Sequence, residues 1–136
     1  MNTSVESNAP VMPESMKAPR WGKKDYDSIQ ILGVTYKLIF STADKYPLLN
    51  DMDGYCDTST KTIVIDDCTD VDKANSKGDL SRYIRQVVRH ECIHAALFES
   101  GLDNCCDWAN CEPAVDWLAI QFPKLCKMFE SIEVTK

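Results

Sequence analysis

Apolar residues change their period once along this chain. Residues 29–40, Ile29-Gln30-Ile31-Leu32-Gly33-Val34-Thr35-Tyr36-Lys37-Leu38-Ile39-Phe40, are rich in β-branched and aromatic side chains around one glycine. That pattern predicts two strands joined at or near Gly33. Asp53-Gly54 then introduces Tyr55-Cys56-Asp57, and after a polar Thr58-Ser59-Thr60 comes Lys61-Thr62-Ile63-Val64-Ile65-Asp66, a second hairpin. Residues 67–78 are polar and read as a loop. From Leu80 the period becomes helical: Leu80, Ile84, Val87, Val88, Ala95 and Phe98 recur at steps of three, four and seven. They share one face of a helix that starts near Asp79 or Ser81 and ends at Gly101. A second helix is expected from Asn110 through Phe122, ended by Pro123, with a short third helix carrying Leu125, Met128 and Phe129. Strands followed by helices predict an α+β domain, a small, mainly antiparallel sheet of two hairpins with the helices packed on one face.

Ahead of this domain, residues 1–24 hold Pro10, Pro13 and Pro19 among polar residues without periodicity, so a flexible N-terminal tail precedes a single domain spanning 25–136. The 136 residues leave little room for a second core. Fifteen Lys and Arg against 21 Asp and Glu give a net charge of −6, which argues against a nucleic-acid partner. No apolar run approaches the roughly 18 residues of a membrane span, and the N-terminus lacks the apolar core of a secretory signal. Seven cysteines are an odd number and too sparse for a disulfide scaffold, so a cytoplasmic protein with free thiols is expected. Cys105, Cys106 and Cys111 lie close together in sequence, but their spacing is not that of a paired zinc knuckle; they read as packing residues. Trp108 and Trp117 read as core or helix-packing residues.

Only two histidines are present, four residues apart, in His90-Glu91-Cys92-Ile93-His94. H-E-x-x-H on a helix puts both imidazoles one turn apart on the same side, where they can reach one Zn2+, with the glutamate placed to act on a water rather than to ligate. At 100° per residue, Glu91 points about 20° from Leu80, inside the apolar stripe. A carboxylate there is costly without a partner or a task, unless it pairs with Arg85 or Arg89. A catalytic zinc takes three protein ligands, and with no third histidine the last must be a carboxylate or a thiolate. Downstream, Glu112, Asp116 and Ala119 share a helical face, and a small residue at Ala119 allows close packing on the first helix. Glu112 is therefore the expected third ligand. Asp116, one turn on, is placed to accept the free N–H of a ligating histidine.

His90-Glu91-x-x-His94 followed by Glu112-x-x-x-Asp116 resembles the gluzincin pattern of zinc metallopeptidases. There a helical H-E-x-x-H is completed by a glutamate on the next helix and an aspartate four residues later. The short hairpins before one active-site helix are similar to the minimal form of that fold, the minigluzincins, and to small phage-encoded metallopeptidases. The resemblance covers residues 53–122, implies a zincin-like fold, and rests on five positions. Pro113 departs from the pattern: it disfavours α geometry at Glu112, places the helix start at Asn110, and leaves Asp116 or Cys111 as alternative ligands.

The resulting expectation is a zinc-dependent metallopeptidase with one Zn2+ per chain, a peptide or protein substrate and Glu91 as general base. Substrate is expected to lie antiparallel to the strand 61–66 by edge addition, and Tyr55 is a candidate for the oxyanion or substrate. The alternatives are a non-catalytic, zinc-stabilised protein-interaction module of the same fold, or a zinc hydrolase acting on an amide or on RNA. Glu6, Glu14 and Asp25 are the tail carboxylates available to an inhibitory segment. Oligomeric state is not readable from the sequence.

Overall fold

A computed structural model describes residues 27–136; the expected tail and its carboxylates Glu6, Glu14 and Asp25 lie outside the described residues. The domain is α+β. Four strands, β1 (Ser28–Ile31), β2 (Val34–Ser41), β3 (Gly54–Asp57) and β4 (Thr62–Asp66), are followed by helices α1 (Val71–Ala74), α2 (Leu80–Glu99) and α3 (Glu112–Glu130).

Both expected hairpins form. The first turns at Leu32 and Gly33, which have φ of 48° and 86° and so take the left-handed geometry of a two-residue turn. The hairpins meet through a parallel pair, Leu38 opposite Ile63 and Phe40 opposite Ile65, giving the order β1-β2-β4-β3. The sheet is thus mixed, with two antiparallel pairings and one parallel pairing. The parallel pairing is long-range, and strand periodicity does not encode it. It corrects the expected route for substrate: β4 is hydrogen-bonded on both sides, so 61–66 offers no free edge, and the strand edge beside α2 belongs to β3.

One face of the sheet carries Tyr36, Leu38, Ile63 and Ile65 into a core completed by Leu80, Ile84 and Ala95 of α2. Gly54 lets the helix approach: a Cβ there would lie 2.8 Å from Val87 Cγ1 and 3.1 Å from Ile65 Cδ1. The start of α2 is capped by Asp79, whose Oδ1 accepts from Arg82 N at 3.0 Å. At its far end, the Tyr36 hydroxyl donates to Glu99 Oε1 at 2.5 Å, and the Lys61 ammonium pairs with the same oxygen. These two donors, Lys61 first, hold the Glu99 carboxyl below its ordinary range.

The polar segment 67–78 is not wholly loop. Asp70 accepts from the backbone N–H of Asp72 and Lys73 and caps the single turn α1, which aims Lys73 at the buried carboxylate of Asp66 and at Leu49 O, 2.6 Å away. A lysine that answers a buried aspartate is a tertiary reason for a helical turn that hydrophobic periodicity does not register.

The largest departure from expectation concerns α3. It begins at Glu112, with Asp107–Asn110 forming a separate 3-10 turn, and it runs unbroken through Pro123 to Glu130. A proline in a helix orphans the carbonyl four residues earlier, here that of Ala119. Arg89 of α2 donates its Nε–H to Ala119 O at 2.7 Å. The break expected from sequence is therefore healed from the neighbouring helix. Val115 and Ala119 are the buried residues of α3, while Trp108 and Trp117 are 50% and 55% exposed. Neither tryptophan is core: Trp117 lies on the face of α3 turned away from α2, and Trp108 lies in the 3-10 turn before α3.

Removing the donor should therefore cost more than a surface arginine normally does. Arg89→Met is expected to lower unfolding free energy in urea by about 1–3 kcal/mol, the range for a stranded buried acceptor. In a Pro123→Ala background, where residue 123 regains its N–H, the same substitution should cost less than half as much. Equal costs in both backgrounds would show that the carbonyl of Ala119 is not what Arg89 serves.

Candidate metal centre

His90 and His94 lie one turn apart on the face of α2 turned towards α3. Because Pro113 occupies the second position of α3, its missing N–H falls where a helix has no internal partner anyway, and Glu112 stands as the first residue of the helix. From there its carboxylate spans both imidazoles. Glu112 Oε2 is 3.1 Å from His90 Nε2, Glu112 Oε1 is 3.0 Å from His94 Nε2, and the two Nε2 atoms are 3.0 Å apart. The next turn of α3 brings Asp116 Oδ1 to 2.8 Å from His90 Nδ1. Cys111, the alternative ligand, precedes the helix without capping it and is exposed.

This geometry has a chemical consequence. With the Nδ1–H of His90 donated to Asp116, the Nε2 of a neutral His90 is a bare lone pair. It faces a carboxylate oxygen and a second imidazole nitrogen. His94 Nε2 has one hydrogen at most for two acceptors. Three acceptor atoms so close repel one another unless a proton or a cation lies between them. A tetrahedral ion with ligand distances of roughly 2.0–2.1 Å holds its donors about 3.3 Å apart, and the separations of 3.0–3.1 Å between the two Nε2 atoms, and from each Nε2 to its own Glu112 oxygen, are close to that. His90, His94 and Glu112 form a group that can hold a metal ion. Burial lowers the pKa of His94, favouring the neutral imidazole that a metal needs, although Glu112 opposes the shift.

Glu91 sits between the histidines in sequence but turns towards the sheet. It is 7% exposed and borders the same cavity, of about 650 Å³, as both histidines, Glu112 and Asp116. Burial pushes its carboxyl up to about 7; His90 works against that shift and Glu112 adds to it. The arginines that might have neutralised it are engaged elsewhere, Arg89 on Ala119 O and Arg85 on Ser81 Oγ at 3.1 Å. Tyr55 also borders the cavity, from β3, and its electrostatic neighbours are Tyr46 and Asp57 rather than the metal-binding group.

The cavity includes residues that sequence reading did not single out. Tyr83 lines it, its hydroxyl donating to Asp53 Oδ2 at 2.5 Å, and Lys73 Nζ stands 3.6 Å from Asp53 Oδ1. Tyr83 precedes His90 by two helical turns and so shares its face, a signal present in the sequence. Asp103 lines the cavity as well, as does Phe98 of the apolar stripe. Asp103 carries no sequence signal, since it lies in a turn whose path is fixed by Asn110 Nδ2 donating to Asp103 O at 2.9 Å.

The cysteines take no part in the metal-binding group. All seven are free thiols, and Cys105 Sγ and Cys106 Sγ approach to 3.8 Å. Among the described residues no helix is long and apolar enough to cross a membrane. Comparison of the chain with protein-family models, with characterised proteins and with solved structures finds no match.

Proposed function

We propose that this chain is a zinc-dependent peptidase. The observation that carries the reading is the group of His90, His94 and Glu112, in which each Nε2 lies 3.0–3.1 Å from one Glu112 oxygen and 3.0 Å from the other Nε2, set beside a buried Glu91 in one open cavity. Two imidazoles and one carboxylate are the donor set of a catalytic zinc that keeps a position open, and α2 supplies the intervening glutamate as a base. When bound, the zinc supplies a Lewis acid that polarises the scissile carbonyl and acidifies a water.

The remaining work falls to the chain itself. His90, His94 and Glu112 hold the ion. Asp116 fixes the tautomer and orientation of His90 through Nδ1. Glu91 takes the proton from water and delivers it to the leaving amine, from a buried position that borders the same cavity as the two imidazoles. The free edge of β3 borders the cavity and can receive an extended peptide by strand addition, with Tyr55 on that strand as the candidate for contact with the substrate carbonyl.

A second reading retains zinc without turnover: a metal-stabilised interaction module. The observation favouring it is the outer face of α3, where Trp117, Ile120 and Met128 are each 44% exposed or more.

Metal analysis and a peptide-library digest separate these readings. One zinc per chain is expected in the parent protein and in Glu91→Gln, with hydrolysis by Glu91→Gln lowered about 10²–10⁴-fold. Parent-like cleavage by Glu91→Gln would remove it as the base, and zinc binding without any cleavage by the parent would favour the module. Glu112→Ala should lose the ion. Asp116→Ala should weaken affinity about 10–100-fold without abolishing it. A Glu112→Ala protein that keeps its full zinc content would overturn the ligand assignment. Because the imidazoles must be neutral to ligate, zinc should be released as pH falls, and more readily from Asp116→Ala than from the parent.

A further inference from the structure

The segment that joins the imidazole helix to the helix of Glu112 carries two adjacent cysteines whose sulfurs meet. Cys105 Sγ and Cys106 Sγ are 3.8 Å apart, and Cys105 Sγ also reaches Gly101 O at 3.4 Å. Successive side chains of an extended chain point to opposite sides, so neighbouring cysteines do not ordinarily touch. Here the alternation is broken: Cys105 has ψ of −7°, and Cys106, with φ of −138° and ψ of 117°, resumes the extended form. The backbone holds this arrangement in place. The amides of Cys105 and Cys106 donate to one carbonyl, Leu102 O, at 3.2 and 2.8 Å, while Cys106 O accepts from the amide of the buried Ala109 at 3.0 Å. Asn110 Nδ2 ties the same segment down through Asp103 O. Cys105 is exposed and Cys106 half-buried, so the thiol pair stands at the surface on a fixed support. The thiol contact with Cys106 holds the Cys105 proton, and the charge of Asp103 adds to that, so its pKa lies above the ordinary thiol range. Surroundings that retain a proton also attract a cation in its place.

The separation of the sulfurs distinguishes what two thiols can do together. A disulfide sets its Cα atoms roughly 4.4–6.8 Å apart, whereas adjacent Cα atoms stand about 3.8 Å apart, so a direct bond between these sulfurs would be strained. Two thiolates on one tetrahedral ion, each at about 2.3 Å, lie about 3.8 Å from one another. That is the distance found here. We propose that Cys105 and Cys106 together bind one soft divalent cation of the zinc and cadmium class, apart from the group of His90, His94 and Glu112, whose cavity neither cysteine lines. Each thiol gives up its proton as a metal–sulfur bond forms, so one ion exchanges for two protons and no oxidant or reductant enters. Water or an outside donor fills the other positions of the ion. An ion held there braces the segment that sets α3 against α2.

The test is titration of the full, zinc-loaded chain with Cd2+, read by the ultraviolet charge-transfer absorption that thiolate gives to cadmium and that imidazole and carboxylate do not. The absorption should saturate at one cadmium per chain, and the affinity should rise with pH because both thiols must ionise. Cys105→Ser and Cys106→Ser should each weaken cadmium binding by at least the roughly tenfold that even an indirect metal contact is worth. Cys111→Ser should leave it unchanged. Neither thiol of the pair belongs to the core, so both serine variants should keep the circular dichroism of the parent. A parent that shows no charge-transfer absorption would overturn the proposal. So would absorption that persists at parent affinity in either serine variant of the pair, or that Cys111→Ser removes as fully. None of these outcomes depends on turnover, so this site and the peptidase reading stand or fall separately.

Discussion

The whole site depends on one carboxylate being delivered from outside the helix that carries the motif. Two imidazoles at i and i+4 are common helix geometry. What makes them a group that could hold a metal ion is Glu112, whose two oxygens lie 3.0 and 3.1 Å from the two Nε2 atoms. Glu112 is exposed over 64% of its side chain and sits at a helix start without a side-chain cap, so little local structure fixes it. Its position comes from the line along which α3 meets α2. That line is narrow: Val115 and Ala119 are buried, and Arg89 reaches across to the Ala119 carbonyl. Losing any of these would move Glu112 and Asp116 together, because both ride on the first turns of the same helix.

The proline that sequence reasoning treats as the end of α3 is part of this line. Pro123 frees the carbonyl of Ala119 from its helical partner, and the freed carbonyl becomes a receptor for a cation on the adjacent helix. That donor, Arg89, immediately precedes His90. The same backbone segment thus places one imidazole and grips the opposing helix, which couples the spacing of the helices to the site they enclose.

How much of this was legible follows from the range of each interaction. The hairpin at Gly33, the helix starting after Asp79 and the burial of Glu91 are set by neighbours within a turn or a strand, and periodicity reports them directly. The pairing of β2 with β4 joins residues more than twenty positions apart, and nothing in either strand names its partner. The single turn at Val71–Ala74 exists for Lys73 to meet Asp66, and the continuity of α3 rests on a donor thirty residues away. The exposure of Trp117 on α3 has a related reason. Hydrophobicity records a preference for burial, but burial requires a covering element, and α3 has only α2. At the site the division is the same. The motif histidines, Glu91 and the two downstream carboxylates could be named because helical spacing carries them. Asp103 could not, because the course of a turn brings it to the cavity.

The surroundings of Glu91 show how side chains of modest polarity can hold a carboxyl near neutrality. Cys56 on β3 and Cys92 on α2 lie close enough for its charge to act on both, and burial pushes their thiols up to about 12 and about 11. Protonated thiols are weak donors. Hydroxyls in their place would offer stronger hydrogen bonds to the ionised carboxylate and draw its pKa down. Desolvation by burial is the dominant influence on Glu91. The apolar stripe that buries α2 against the sheet and the proton affinity of its glutamate are then consequences of the same packing. The strand that lets the helix in at Gly54 also carries, two residues later, Cys56, whose thiol feels the charge of Glu91.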